Sequence, residues 1–383
     1  MQFWSKNRGS WRFPLRLRGL ARNIFFSRQG ARTQGKKLSV FEKSWAAALV
    51  VLLAAVALTA QTRLARTFTN PLVRSQDSAD PWMFYHKGFY YLTATFDPEG
   101  GVWLRRAQTL AGLETAEKKK IYDAPETGLR SRQIWAREIH RLGKRWYLYV
   151  TASDGTDENH RIYVFESRAD DPWGEYDFKG KAFDPANEEW AIDATVLRGR
   201  NGRLYLLWCG HVPKNGNGIY IAPLGDPWTL SGRRVLIAQA DFDWERVRYP
   251  INEAPQVLQR GGKTFVVYSA SDTGTPDYAL GLLKLVKNGD PLDPKSWAKS
   301  PRPVFAQVRE ADGAVYGPGH NGFFKSPDGR EDWIVYHGKE TSEYTYRGRR
   351  ARAKKFTWNA DGTPNFGRPV PAGVPLPVPS GEK

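Results

Sequence analysis

Asp80, Glu138, Asp193, Glu253 and His320 stand in stretches that are otherwise mostly apolar or built from small residues. Their settings are Ser78-Ala79-Asp80-Pro81-Trp82, Trp135-Ala136-Arg137-Glu138, Ala191-Ile192-Asp193-Ala194, Asn252-Glu253-Ala254-Pro255 and Gly317-Pro318-Gly319-His320. Carboxylates and imidazole are the side chains that exchange protons near neutral pH, and carboxylates also hold hard cations. A charged group is almost never buried without a partner, so a set of them in apolar surroundings carries a cost that suggests a use.

The spacing says which elements bring them together. After each comes a turn with Gly or charge, and then, roughly a dozen residues on, an aromatic or apolar marker inside an alternating apolar run. Those markers are Tyr90, Tyr147, Tyr205, Phe265 and Ile334, at steps of 57, 58, 60 and 69 residues. A repeat of this length made of short strands and turns predicts a β-propeller with one blade per repeat, here an all-β, five-bladed β-propeller. In that fold one strand of every blade meets at a central axis, and the five ionisable residues are expected there in register. The second half of a repeat often ends in Asp-Pro and Trp, as at Asp171-Pro172-Trp173 and Asp226-Pro227-Trp228. Asp-Pro opens a turn, and these outer hairpins read as structural.

Charge and cysteine usage narrow the alternatives. The formal net charge is +17, but residues 1–45 hold eleven Lys or Arg against one Glu. The excess belongs to a leader, and the axial positions are mostly acidic, so a nucleic-acid partner is not expected. Residues 46–60 are an uncharged apolar run of fifteen, shorter than the roughly twenty a spanning helix needs. With the basic stretch before it and Ala55-Val56-Ala57 inside it, the run reads as a secretory signal, or as an uncleaved anchor in a membrane. Export to the periplasm or the extracellular space is the expectation. Cys209 is the single cysteine and excludes an intrachain disulfide. Residues 1–69 are assigned to the leader, 70–370 to the propeller and 371–383 to a Pro-rich tail with a disordered end.

The stretches around Asp80, Glu138, Asp193 and Glu253 resemble those of glycoside hydrolase family 43. So does Phe356-Thr357-Trp358-Asn359-Ala360-Asp361-Gly362, which is most similar to its α-L-arabinofuranosidase branch. Arg137 departs from the Pro found in many members and is expected to alter backbone near the rim. The resemblance implies an inverting glycosidase with Asp80 as general base, Glu253 as general acid, and Asp193 tuning and orienting the acid. Inversion needs two carboxyl groups roughly 6.5–9.5 Å apart with a water between them, which residues on different blades can satisfy. A carboxylate near Glu253 would raise its pKa, while Asp80, expected to be more exposed, would stay ionised.

By the same resemblance, Arg349 reaches back toward the terminal sugar, and His320 lies on the axis beside a structural calcium or water cluster. No cofactor is required for the chemistry. Glu138 either holds an axial hydrogen-bond network or lines the pocket, and Trp103, Trp135, Tyr249 and Tyr316 form its wall. The implied partner is an arabinose- or xylose-containing polysaccharide or oligosaccharide. A β-xylosidase, an endo-arabinanase and a sugar-binding propeller without catalysis are the alternatives.

Overall fold

The computed structural model describes residues 66–95, 100–186, 188–310 and 313–383. The basic leader up to residue 65, with its apolar run, lies outside the described residues. Among the described residues no helix is long and apolar enough to cross a membrane.

Five antiparallel sheets follow one another along the chain. Their innermost strands are Ala79–His86, Arg132–Leu142, Ala191–Arg198, Asn252–Arg260 and Gly313–Lys325, in blades 1 to 5. The innermost strand of blade 1 packs beside those of blades 2 and 5, that of blade 3 beside those of blades 2 and 4, and that of blade 4 beside that of blade 5. The ring therefore closes, and the fold is a five-bladed β-propeller.

The core consists of the five interfaces between blades. Side chains of a strand alternate between its two faces, so a blade buried on both sides needs apolar residues at nearly every position of its second strand. Blade 2 shows this: Tyr147 and Tyr149 pack on Leu206 and Trp208 of blade 3, while Trp146 and Leu148 pack on Leu104 and Ile121 of blade 1. Tyr91, Tyr147, Tyr205, Phe265 and Trp333 occupy one equivalent position, each turned toward the following blade. The repeat markers in the first and last copies are thus Tyr91 and Trp333, one residue from the expected Tyr90 and Ile334. An aromatic or apolar neighbour, Tyr90 or Ile334, hides that offset in the sequence.

Closure is made by the two ends of the domain. Thr67–Thr69 pairs with Pro375–Pro377, and the Glu382 carboxylate accepts the Leu110 N–H. The tail expected to end in disorder is a strand, because residues placed with the leader supply its partner. The following segment lies along blade 5. The Leu72 N–H donates to Ala351 O, the Ser78 N–H donates to Arg349 O, and the Asn70 side chain bonds Ala353 O and Ala353 N–H.

Arg137 also differs from its expected place at the rim. It is buried, with NH1 and NH2 donating to Ala94 O at 2.5 Å and Gly101 O at 3.0 Å. The guanidinium stitches blade 2 to blade 1.

Candidate active site

Each innermost strand carries a β-bulge near its start. Pairing to the second strand jumps from Ala79 to Trp82, from Trp135 to Glu138, from Ile192 to Thr195, from Glu253 to Gln256 and from Gly319 to Gly322. The first residue of every bulge has positive φ: Asp80 at 54°, Ala136 at 46°, Asp193 at 58°, Ala254 at 49° and His320 at 44°. Such backbone is uncommon for a residue with a Cβ and persists only where surrounding bonds enforce it.

Those bonds come from the preceding blade. The Asp80 N–H donates to His337 Nδ1 at 3.2 Å, the Asp193 N–H to Thr151 Oγ1 at 3.1 Å, and the His320 N–H to Ser269 Oγ at 2.8 Å. His337, Thr151 and Ser269 occupy equivalent second-strand positions, opposite the residue before the bulge. In blade 3 this position is Cys209, a weak acceptor, and the Ala254 N–H instead donates to Asp193 Oδ2 at 3.0 Å.

This geometry corrects the expectation that the five ionisable residues lie in register. Asp80, Asp193 and His320 share the bulge position, Glu253 comes one residue before it, and Glu138 two residues after it. Pro81 and Pro255, each following a bulge residue, are the sequence signal that aligns Ala254 with Asp80.

Asp80 is buried, not the more exposed acid expected. Burial opposes its ionisation, but His320 and Arg349 outweigh that and hold its carboxyl well below the usual range. Its Oδ2 accepts from Thr95 Oγ1 at 2.8 Å. Its Oδ1 lies 3.3 Å from His320 Nδ1 and 3.4 Å from Arg349 NH1. His337 is pushed down to about 4 by burial and is neutral at pH 7. Its Nδ1 accepts the Asp80 N–H, so its proton sits on Nε2, 3.2 Å from Thr273 Oγ1.

Asp193 and Glu253 behave in the opposite sense. Burial, and then repulsion from Glu253 and Asp80, push Asp193 well above the ordinary value. Glu253 is raised to about 7, again by burial first and by Asp80 repulsion, against the opposing bond from Tyr278. Of these three carboxylates only Glu253 is partly exposed. Its Oε1 accepts from Tyr278 Oη at 2.7 Å. One ionised carboxylate and two proton-holding ones thus share the mouth of the axis.

Glu138 belongs to a network further along the axis. It is buried, 2.7 Å from His140 Nε2 through Oε2, and accepts from the Gln256 amide through Oε1. That occupation decides the fit of a metal beside His320. Calcium needs six to eight oxygen ligands. Both oxygens of Asp80 and both of Glu138 are engaged by protein groups, and Arg349 adds positive charge. The residues around His320 do not fit a calcium held directly by protein oxygens.

The aromatic residues divide. Trp135 stands at the register of Glu253, partly exposed and stacked on His160 at 4.3 Å. Tyr316 lies in the upper part of the blade 5 inner strand, with Arg309 5.2 Å from its ring. Trp103 is in the third strand of blade 1, with Lys118 and Lys120 of the fourth strand at its ring; the structure does not bring it to the acids. Tyr249 is an exposed rim residue.

Tyr249 belongs with residues the sequence pattern did not mark. The hydroxyls of Tyr344 and Tyr346 donate to Asp272 Oδ2 at 3.1 and 3.3 Å. Arg248 covers Tyr344 at 3.9 Å and lies 5.6 Å from the Tyr249 ring. Arg349 Nε donates to Tyr346 O at 2.8 Å, which joins this aromatic rim to Asp80. Buried Lys339 pins two of the loops involved, donating to Gly274 O and Thr345 O. Tyr278, Thr151, Ser269 and His337 were missed as well. The only signal for Thr151, Ser269 and His337 was their place four residues after the true repeat markers. A separate surface cavity of about 480 Å³, lined by Phe84, Leu258 and Phe323 among others, opens at the opposite ends of the inner strands, away from the acids.

Fold and site together define a five-bladed propeller with an acid–base carboxylate cluster at one end of its axis. The sequence profile described as Glycosyl hydrolases family 43 matches residues 68–364, and the chain belongs to that family. An extracellular exo-α-(1→5)-L-arabinofuranosidase of Streptomyces avermitilis is 42% identical over 318 residues, covering 80% of this chain and 65% of the relative. A protein of the same description from Streptomyces chartreusis is 40% identical over 281 residues, covering 72% of this chain and 84% of the relative. This chain therefore spans just under two thirds of the length of the first of these relatives. The crystal structure of an α-L-arabinofuranosidase from Lactobacillus brevis superposes with a TM-score of 0.74 at 36% identity, covering 80% of this chain and 98% of that one.

Proposed function

We propose that this chain is an exported, exo-acting α-L-arabinofuranosidase that hydrolyses its substrate in one step with inversion. The observation that carries the chemistry is the opposite perturbation of two acids in one cluster: Asp80 is held ionised, and Glu253 keeps its proton up to about pH 7. Carboxyls whose environments drive their pKa values apart divide into base and acid.

Asp80 takes a proton from a water as that water's oxygen bonds to the anomeric carbon. Glu253 gives its proton to the glycosidic oxygen as the carbon–oxygen bond breaks. The departing alcohol is neutral, and the two carboxyl groups end with their protonation exchanged. Asp193 orients the acid by holding the backbone of the next residue, Ala254. Arg349 contacts Asp80 and has further donors for the hydroxyls of a terminal sugar.

The arabinose preference is supported by the relatives and by the stretch from Phe356 to Gly362. The exposed tyrosines of the rim supply a surface on which the leaving portion of a polysaccharide can stack. Export is supported by the basic leader and its apolar run. The test is hydrolysis of p-nitrophenyl α-L-arabinofuranoside against the β-D-xyloside, with Glu253→Gln alongside and the product anomer read by NMR. Release from the arabinoside with inverted configuration, lost in the variant, is expected. Preference for the xyloside would overturn the choice of sugar, and a retained anomer would overturn the single-step mechanism.

A further inference from the structure

Tyr278 stands between the two working acids. It is fully buried, and its hydroxyl has the ionised or neutral Glu253 carboxyl as an acceptor at 2.7 Å. Its ring lies flat against His337, with centroids 5.6 Å apart and planes 8° from parallel. His337 in turn accepts the Asp80 N–H and faces Asp80 Oδ1 at 3.4 Å. A continuous line of contacts thus runs from Glu253 through Tyr278 and His337 to Asp80.

The fold keeps a place open for that ring. A Cβ on Gly319 would lie 2.2 Å from Tyr278 Cε1, closer than any real contact allows. The residue before His320 is therefore glycine for the benefit of Tyr278. Oε1 of Glu253 is engaged as an acceptor, and a phenol that donates to one oxygen of a neutral carboxyl leaves the proton on the other.

We propose that Tyr278 is a positioning residue for the acid: its hydroxyl commits the catalytic proton to Glu253 Oε2, and its stack on His337 sets how far the acid stands from Asp80. The proposal rests on the reading of Glu253 as the general acid and adds the residue that aims it. Without the hydroxyl, either oxygen can carry the proton and the carboxyl can rotate. Proton donation to a poor leaving group then suffers, while an aryl group that departs without help is little affected. The lost bond favoured the ionised acid, so Glu253 should also hold its proton to higher pH.

The experiment compares the parent chain with Tyr278→Phe, which keeps the ring and its packing, after thermal unfolding shows both are folded. The substrates are dinitrophenyl, nitrophenyl and unsubstituted phenyl α-L-arabinofuranosides together with α-1,5-arabinobiose. Expected for the variant is a roughly 10–100-fold loss of kcat on phenyl arabinoside and arabinobiose, at most a few-fold loss on the dinitrophenyl substrate, and an alkaline limb of kcat/KM moved upward. An equal loss on all substrates with an unmoved limb, or a change in KM alone, overturns the role of Tyr278 while leaving the glycosidase reading intact. A parent chain that cleaves none of these furanosides overturns both.

Discussion

The Asp193 carboxylate accepts the N–H of Ala254 at 3.0 Å, and Ala254 is the residue directly after Glu253. At Asp80, Asp193 and His320, a neutral second-strand side chain of the preceding blade does this work. In blade 3 that position is the buried Cys209, and the Asp193 carboxyl takes its place. One carboxyl group thereby braces the backbone of the acid.

Asp193→Asn and Asp193→Ala test that brace. Asparagine keeps an oxygen for the Ala254 N–H, so kcat should fall by at most a few-fold. Alanine removes the acceptor, and kcat should fall further, by roughly 10²–10⁴-fold. Full pH profiles of the two variants make the comparison.

The pH dependence of the parent chain follows from the same cluster. Glu253 must be protonated and is raised to about 7, so the rate should fall as pH rises through about 7. Asp80 must be ionised and is held well below the ordinary range, so the acidic limb should lie below the usual carboxylate value. The folded state also holds the Glu253 proton more tightly than the unfolded chain does. Its contribution to stability is therefore present at low pH and lost as pH rises from the ordinary glutamate value toward about 7. Initial rates and melting temperatures from pH 4 to 9 would show both.

Arg137→Ala tests the stitch between blades 1 and 2. It leaves two buried backbone carbonyls, Ala94 O and Gly101 O, without these donors. The expected loss is about 3 kcal/mol of folding stability, read as a lower urea midpoint. Arg137→Lys should recover only part of it, because one ammonium cannot reproduce the planar fork.

Tyr344→Ala and Tyr346→Ala address the rim. If the leaving portion of a polymer stacks there, KM for debranched arabinan should rise more than KM for the nitrophenyl arabinoside. Aromatic stacking surfaces of this size predict roughly a fivefold effect per ring, about 1 kcal/mol each. Equal changes on both substrates would remove the rim from polymer recognition.

The five-blade architecture was legible in the chain because its cause is local. Strands buried on both faces demand apolar residues throughout, turns demand Gly, Pro and Asp, and the alternation repeats with each blade. The three carboxylates were legible too, since an acid in an apolar stretch is conspicuous. Sequence alone misjudged alignment. A bulge adds a residue without changing composition, so the offset of Glu253 and Glu138 from Asp80, Asp193 and His320 appears only when the strands pair. Whether Asp80 is exposed or buried, and which neighbours hold its backbone and its carboxylate, depends on Thr95, His320, His337 and Arg349. Those residues come from blades 1 and 5, up to 269 positions away. Tyr278 and the rim tyrosines carried no local mark, because a tyrosine in a loop reads the same whether its hydroxyl meets water or the catalytic acid. The strand at residues 375–377 likewise needed its distant partner at 67–69. Local pattern determines which elements form, and long-range pairing decides which side chains face one another and what that contact does to their protons.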